Sequence, residues 1–187
     1  SSVVDDLLVE DARAIVGRAL TARGFLRARV DVRVEAAGDT RVLAIGVEEG
    51  VRVRSTTIRV DMVDGADTLL AADLVELATQ RGLVERAATE PDALTRAFAD
   101  QLRTTGYVNP KIRVAPATYQ GDVAEVRVSV DPGVLLRLGS VRYVGAAGVA
   151  VSDLEKAAAL VAGAPYEVSV LDAARERIVE LYRRKGF

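Results

Sequence analysis

Neither cysteine nor histidine occurs among the 187 residues, so thiolate and imidazole chemistry are closed to this chain. A disulfide framework is excluded and a zinc site is disfavoured with them. Carboxylate pairs are the next candidates: Asp5-Asp6, Glu10-Asp11 and Glu48-Glu49. To bind calcium they would need an Asp-rich loop with ligand spacing, and the sequence holds none, so they read as helix-start and solvated-face charge. Gly145-Ala-Ala-Gly148 is a glycine loop with no lysine after it, which leaves a phosphate without its usual cation. Arg183-Arg184-Lys185 reads as a basic helix end that suits the helix dipole. The expectation is a non-enzymatic chain with no cofactor and no metal.

What remains is the chemistry of the backbone. The run Arg27, Ala28, Arg29, Val30, Asp31, Val32, Arg33 and Val34 alternates charged and apolar residues, the pattern of a half-buried strand. A second, shorter run is Lys111, Ile112, Arg113, Val114 and Ala115. A strand at a sheet edge presents unpaired N–H and C=O groups that an extended peptide can satisfy. These two runs are therefore the candidate peptide-binding edges. Pro110 and Pro116 flank the second and limit an added strand there to about five residues, since proline brings no N–H. The first has no proline, and its charges discourage indiscriminate pairing, so it is expected to be the better site.

The elements that must hold these strands repeat. The segments Ala12 to Phe25, Leu94 to Tyr107 and Ala174 to Phe187 are each an amphipathic helix closed by Gly and an aromatic: Gly24-Phe25, Gly106-Tyr107 and Gly186-Phe187. Counting back from each glycine in steps of four gives Leu20, Leu102 and Tyr182, then Val16, Phe98 and Ile178, then Ala12, Leu94 and Ala174. Such steps share one helix face, which must be buried. The glycine suits a left-handed C-terminal cap, and the aromatic is expected to fold back as a structural anchor. The repeat recurs about every 80 residues, which marks whole small domains rather than solenoid turns.

Three units follow from this. Residues 1–50 read as helix, strand, Gly38-Asp39 turn and strand. Residues 51–133 read as strand, helix, helix, strand and strand, with Asp64-Gly65 closing the first strand, Pro91 in the first turn of the second helix and Gly121-Asp122 in the hairpin. Residues 134–187 read as a strand through Leu136, Leu138, Val141 and Tyr143, then a helix from the capping-box pattern Ser152-Asp-Leu-Glu155 through Val161, then the third repeated helix. Only the middle unit is complete, a three-stranded sheet under two helices. The outer units would leave apolar surface exposed, so the expectation is either self-association of the two ends between chains or irregular packing of each on the middle unit.

Composition narrows the partners. Lys and Arg number 25 against 27 Asp and Glu, for a formal net charge of −2. No basic face is available to bind phosphates, and aromatics are only 4%, so nucleic acid is not expected as a partner. No run approaches the roughly 18 apolar residues of a membrane span, and no signal peptide is visible. The chain is expected to be either soluble and cytoplasmic or a piece of something longer.

The order of these signals resembles the POTRA (polypeptide-transport-associated) domain, in the tandem form found in outer-membrane β-barrel assembly factors (BamA/TamA-like). The segments that carry it are Gly24-Phe25 to Gly50, Gly106-Tyr107 to Gly133, and Leu138-Gly-Ser-Val-Arg-Tyr-Val-Gly145 with Gly163-Ala-Pro-Tyr166. The middle unit departs from the pattern where its first helix ends in Arg81-Gly-Leu-Val rather than a Gly-x-Pro-Tyr turn. The resemblance implies an α+β fold of tandem POTRA-like β-α-α-β-β modules. It further implies a periplasmic scaffold in a Gram-negative bacterium, tethered through a C-terminal β-barrel in the parent protein. Its partners would be unfolded outer-membrane client polypeptides or accessory lipoproteins, engaged by β-augmentation. An FtsQ-like divisome protein with a single such domain, or an RNA-binding α+β module, are the alternatives.

Overall fold

The computed structural model describes residues 3–38, 40–63, 68–146 and 148–187. Asp39 of the expected first turn, Asp64-Gly65 and Ala147 of the glycine loop lie outside the described residues. The fold is mixed α+β, with five helices and three small sheets among the described residues.

The middle stretch builds the main core. Strand β3 (Ser55–Met62) leads to helices α2 (Thr68–Gln80) and α3 (Pro91–Thr104). The chain returns through β5 (Lys111–Val114), β6 (Thr118–Gln120) and β7 (Val123–Asp131). The strand order is β3-β7-β5, with β6 also paired to β7. β3 runs parallel to β7, from Ser55 opposite Val123 to Met62 opposite Val130. A parallel pair needs a long crossover, and the two helices provide it.

β7, the last strand of this unit, is thus its centre, and its sequence shows why. Ala124, Val126, Val128 and Val130 alternate onto one face and are fully buried. Leu74, Leu94, Phe98 and Leu102 come down from the helices to meet them, all without exposed surface. Ile58, Val60, Met62, Ile112 and Val114 pack around this cluster from the flanking strands. Pro91 occupies the first turn of α3, where a missing N–H costs nothing.

β5 and β6 are one strand broken by a bulge. Val114 pairs with Val128 and Thr118 with Glu125, so Ala115 to Ala117 span the distance that Val126 and Arg127 cover on β7. Ala115 N–H still donates to Arg127 O at 2.8 Å, and Pro116 sits inside the bulge, where no donor is required.

The first stretch is helix α1 (Val3–Ala22) packed against the hairpin of β1 (Arg29–Ala37) and β2 (Thr40–Glu48). At its end Phe25 N–H donates to Leu20 O at 3.0 Å and Gly24 N–H to Thr21 O at 2.9 Å, the paired bonds of a Schellman cap. On the face defined by the four-residue steps, Leu94, Phe98 and Leu102 of α3 are fully buried, whereas on α1 only Leu20 is. The difference is in the covering layer: a two-stranded hairpin shields less than the sheet built around β7.

The third stretch departs from expectation in two places. Leu136 to Tyr143 carries an alternating apolar pattern but forms no extended strand; it makes only a bridge between Arg137 and Pro165. Leu138 N–H donates to Ala164 O at 2.8 Å and Tyr166 N–H to Leu136 O at 2.9 Å. Among the described residues no strand lies beside Val141 and Tyr143, and without a ladder partner an alternating pattern stays an irregular extended segment. The capping box does not form either. Helix α4 (Val151–Ala158) starts two residues earlier than a Ser152 cap would place it, with Ala150 at its N-cap and no side-chain cap bond, which puts Ser152 already inside the first turn. It also stops short of Val161, because Ala159 turns into the left-handed region at φ 50. Helix α5 (Val168–Arg184) packs across α4, and Arg177 donates from Nε to the carbonyl of Ala157 at 2.8 Å and from Nη2 to that of Ala158. A guanidinium on the last carbonyls of a helix satisfies them and suits the dipole.

The three stretches are joined by backbone pairing. Val53 N–H donates to Gly24 O at 2.8 Å, and Leu136 N–H to Gly106 O at 2.9 Å. A short sheet of β4 (Tyr107–Val108) and β8 (Val134–Leu135) continues the second of these links.

Candidate functional site

Among the described residues no group of three or more acids is placed to hold a metal ion. Asp5 is buried, with 8% of its surface exposed, and lies 3.7 Å from Arg41. Asp31 pairs with Arg33 at 2.7 Å along the same strand. The Asp153 carboxyl is held below its ordinary range, because Lys185 Nζ donates to Oδ2 at 2.7 Å and adds its positive charge.

The sheets have open margins. β1 pairs with β2 alone, so its outer side is free of any ladder among the described residues. Arg29, Asp31, Arg33 and Glu35 point to solvent, while Val30 and Val34 are half-buried and Val32 is buried beneath α1. Arg27 and Ala28 precede this strand. The Arg27 guanidinium lies over the Tyr119 ring, 5.6 Å from its centroid, and Ala28 N–H closes a turn onto Phe25 O. Of the first run, then, residues 29–34 are on the strand and continue to Ala37.

β5 likewise has one neighbour, β7, and one open side. Lys111 and Arg113 face solvent, Ile112 and Val114 face the core, and Lys111 Nζ sits 3.4 Å from Asp131 Oδ2. Ala115 is not part of the open ladder, because its N–H is turned inward onto Arg127 and the bulge begins there. Two further margins were not anticipated by sequence reasoning: the outer sides of β2 and of β3. Which strand becomes central depends on the crossover; the uninterrupted inward valines of β7 were the one local sign of it.

The Gly-aromatic pairs lie at helix ends, away from these margins. Gly24, Gly106 and Gly186 have φ of 90°, 97° and 85°, a region L side chains rarely adopt. Tyr107 joins the edge of the main core, Phe25 is half-buried, and Phe187 stacks edge-on against Tyr182 with ring centroids 5.6 Å apart while resting on Gly148. No helix among the described residues is long and apolar enough to cross a membrane.

No protein-family model matches this chain, and no curated protein matches it. Among solved structures it is similar to the crystal structure of Haemophilus influenzae BamA POTRA3-5, at 19% identity and a TM-score of 0.44, over 95% of this chain and 69% of that one.

Proposed function

We propose that this chain is a non-enzymatic polypeptide-binding scaffold built of POTRA-like units, part of an outer-membrane protein assembly or translocation factor. It would work in the periplasm of a Gram-negative bacterium, tethered to the membrane through a β-barrel elsewhere in the parent protein. Its clients are unfolded outer-membrane polypeptides or an accessory lipoprotein. They pair transiently as an added strand on the outer side of β1 (residues 29–34) or β5 (residues 111–114).

The observation that supports this reading is the strand order β3-β7-β5. Because the last strand of the middle unit, β7, takes the centre of its sheet, β5 is pushed to the margin. Its N–H and C=O groups then face outward, where an extended segment can bond to them. Alternating charge on β1 and the bulge beside β5 keep these margins from pairing with one another, a common protection for edges that must stay soluble.

The test is amide hydrogen exchange on the whole chain, with and without a peptide of alternating apolar and polar residues taken from an outer-membrane β-barrel strand. Slowed exchange confined to 29–34 or 111–114 supports the proposal. Peptide binding with no slowing at either strand, or salt-sensitive RNA retention in place of peptide binding, overturns it.

A further inference from the structure

The β1–β2 hairpin and the β6–β7 hairpin are closely matched pieces of chain. Each closes a two-residue loop, Ala37 pairing with Thr40 and Gln120 with Val123, and each loop opens on a glycine of positive φ, 63° at Gly38 and 58° at Gly121. Laid on one another by these turns, Leu43 falls on Val126, Ile45 on Val128 and Val47 on Val130. The junctions agree as well, since Gly24 accepts from Val53 in one case and Gly106 from Leu136 in the other.

Their surroundings differ. Val126, Val128 and Val130 are fully buried, and β3 lies parallel along the full length of their strand. Leu43, Ile45 and Val47 are 42%, 44% and 43% exposed, and among the described residues β2 pairs with β1 alone. Between Arg41 and Glu48 this margin carries no charge and no proline. A long, uncharged, apolar edge is what soluble sheets otherwise avoid showing to water.

We propose that the outer side of β2 is a docking site for an extended polypeptide strand that adds in parallel, with apolar side chains at alternate positions. The chain contains the template for the occupant. In the middle unit Ile58, Val60 and Met62 sit opposite Val126, Val128 and Val130. A segment patterned like β3 therefore places its three apolar residues beside Leu43, Ile45 and Val47. The neutral run 42–47 opposite it rejects a strand that carries charge at those inward positions, because a charge there is desolvated without a partner. A second copy of the chain is the poorer fit. Two copies related by a two-fold axis, with their apolar faces on one side, would pair β2 with β2 antiparallel, whereas the template is parallel. This site is distinct from the β1 and β5 margins and does not depend on the periplasmic reading.

The probe is a synthetic peptide of residues 53–63, labelled at its N-terminus with a paramagnetic tag and titrated into the whole chain. Saturable binding is expected, with amide exchange slowed at residues 41–47 and unchanged on β1. The tag should broaden resonances near Thr40 rather than near Glu48. A peptide carrying Ile58→Asp and Val60→Asp should bind at least tenfold more weakly to the unaltered chain, which removes any question of a variant that fails to fold. Ile45→Lys in the chain should weaken the parent peptide similarly. Slowed exchange on β1 or β5 instead, broadening near Glu48, or indifference to the aspartates would overturn the proposal. So would a chain that ignores the peptide and dimerises through β2 in sedimentation.

Discussion

The carbonyl oxygen of Gly106 accepts the backbone N–H of Leu136 at 2.9 Å, and with the short β4–β8 pairing this bond ties the end of helix α3 to the start of the third stretch. A β-carbon on Gly106 would stand 2.8 Å from the carbonyl oxygen of Tyr166, and φ there is 97°. Gly106→Ala should therefore cost about 2 kcal/mol, combining left-handed strain with a backbone clash. Gly82 also has positive φ but has open space around its α-carbon, so Gly82→Ala should cost only about 1 kcal/mol. Urea midpoints of the two variants separate these contributions; equal midpoints would mean that the approach of Tyr166 is unimportant.

Phe98 is the largest side chain with no exposed surface, and it belongs to the core cluster that also holds Leu74 of α2 and the valines of β7. Phe98→Ala should destabilise the chain by about 3–5 kcal/mol through lost burial and the cavity it leaves. Val42→Ala, at a side chain 46% exposed on β2, should cost under about 1 kcal/mol. Thermal or urea unfolding of both checks the contrast between the middle unit and the first.

The clasp between α4 and α5 has a pH dependence whose sign follows from Asp153. Its carboxyl is held below the ordinary aspartate value of 3.8, first by the hydrogen bond from Lys185 and then by that residue's charge. A lowered folded-state pKa means the stabilisation is fully present above the ordinary value and is lost as pH falls through the lower one. Asp153→Asn should remove this acid-range dependence and leave stability near neutrality little changed, since the pair is exposed. NMR titration of the Asp153 carboxyl, with and without Lys185→Met, reads it directly: without the lysine, the midpoint should move up.

Arg27 lies across the Tyr119 ring, linking the loop before β1 to β6. A double-mutant cycle with Arg27→Ala and Tyr119→Leu should return a coupling of about 0.5–1 kcal/mol, the usual size for such a contact at an exposed site. A coupling of zero would mean that the two groups merely lie near each other.

Several of these features were legible in the sequence for identifiable reasons. The helix ends could be read because glycine must take positive φ there and the face four residues back must be buried; Gly106 meets the first demand and Leu94, Phe98 and Leu102 the second. The middle unit's order of elements was equally plain, since its pattern changes from period two to period 3.6 and back. Pairing was not. Leu136 and Leu138, then Val141 and Tyr143, alternate on either side of a phase break at Gly139-Ser140, but alternation reports only that one face is apolar, and a ladder needs a second strand. The two-residue pairing of Tyr107-Val108 with Val134-Leu135 is too short to leave a pattern. At the candidate edges, the alternation placed the strand but not its ends: Arg27 is drawn off to Tyr119 and Ala115 into the bulge, both through contacts made far along the chain. Ser152 looked like a cap because the motif fits, yet Ala150 takes that role through backbone conformation alone.

The three residues that Ala115, Pro116 and Ala117 set against two on β7 also reach beyond this sheet. Anything laid along that margin meets two short straight rails, offset from each other, instead of one long one. A visitor can grip either rail but cannot zip along both without a kink of its own. The margin thereby resists becoming the seed of an endless ribbon.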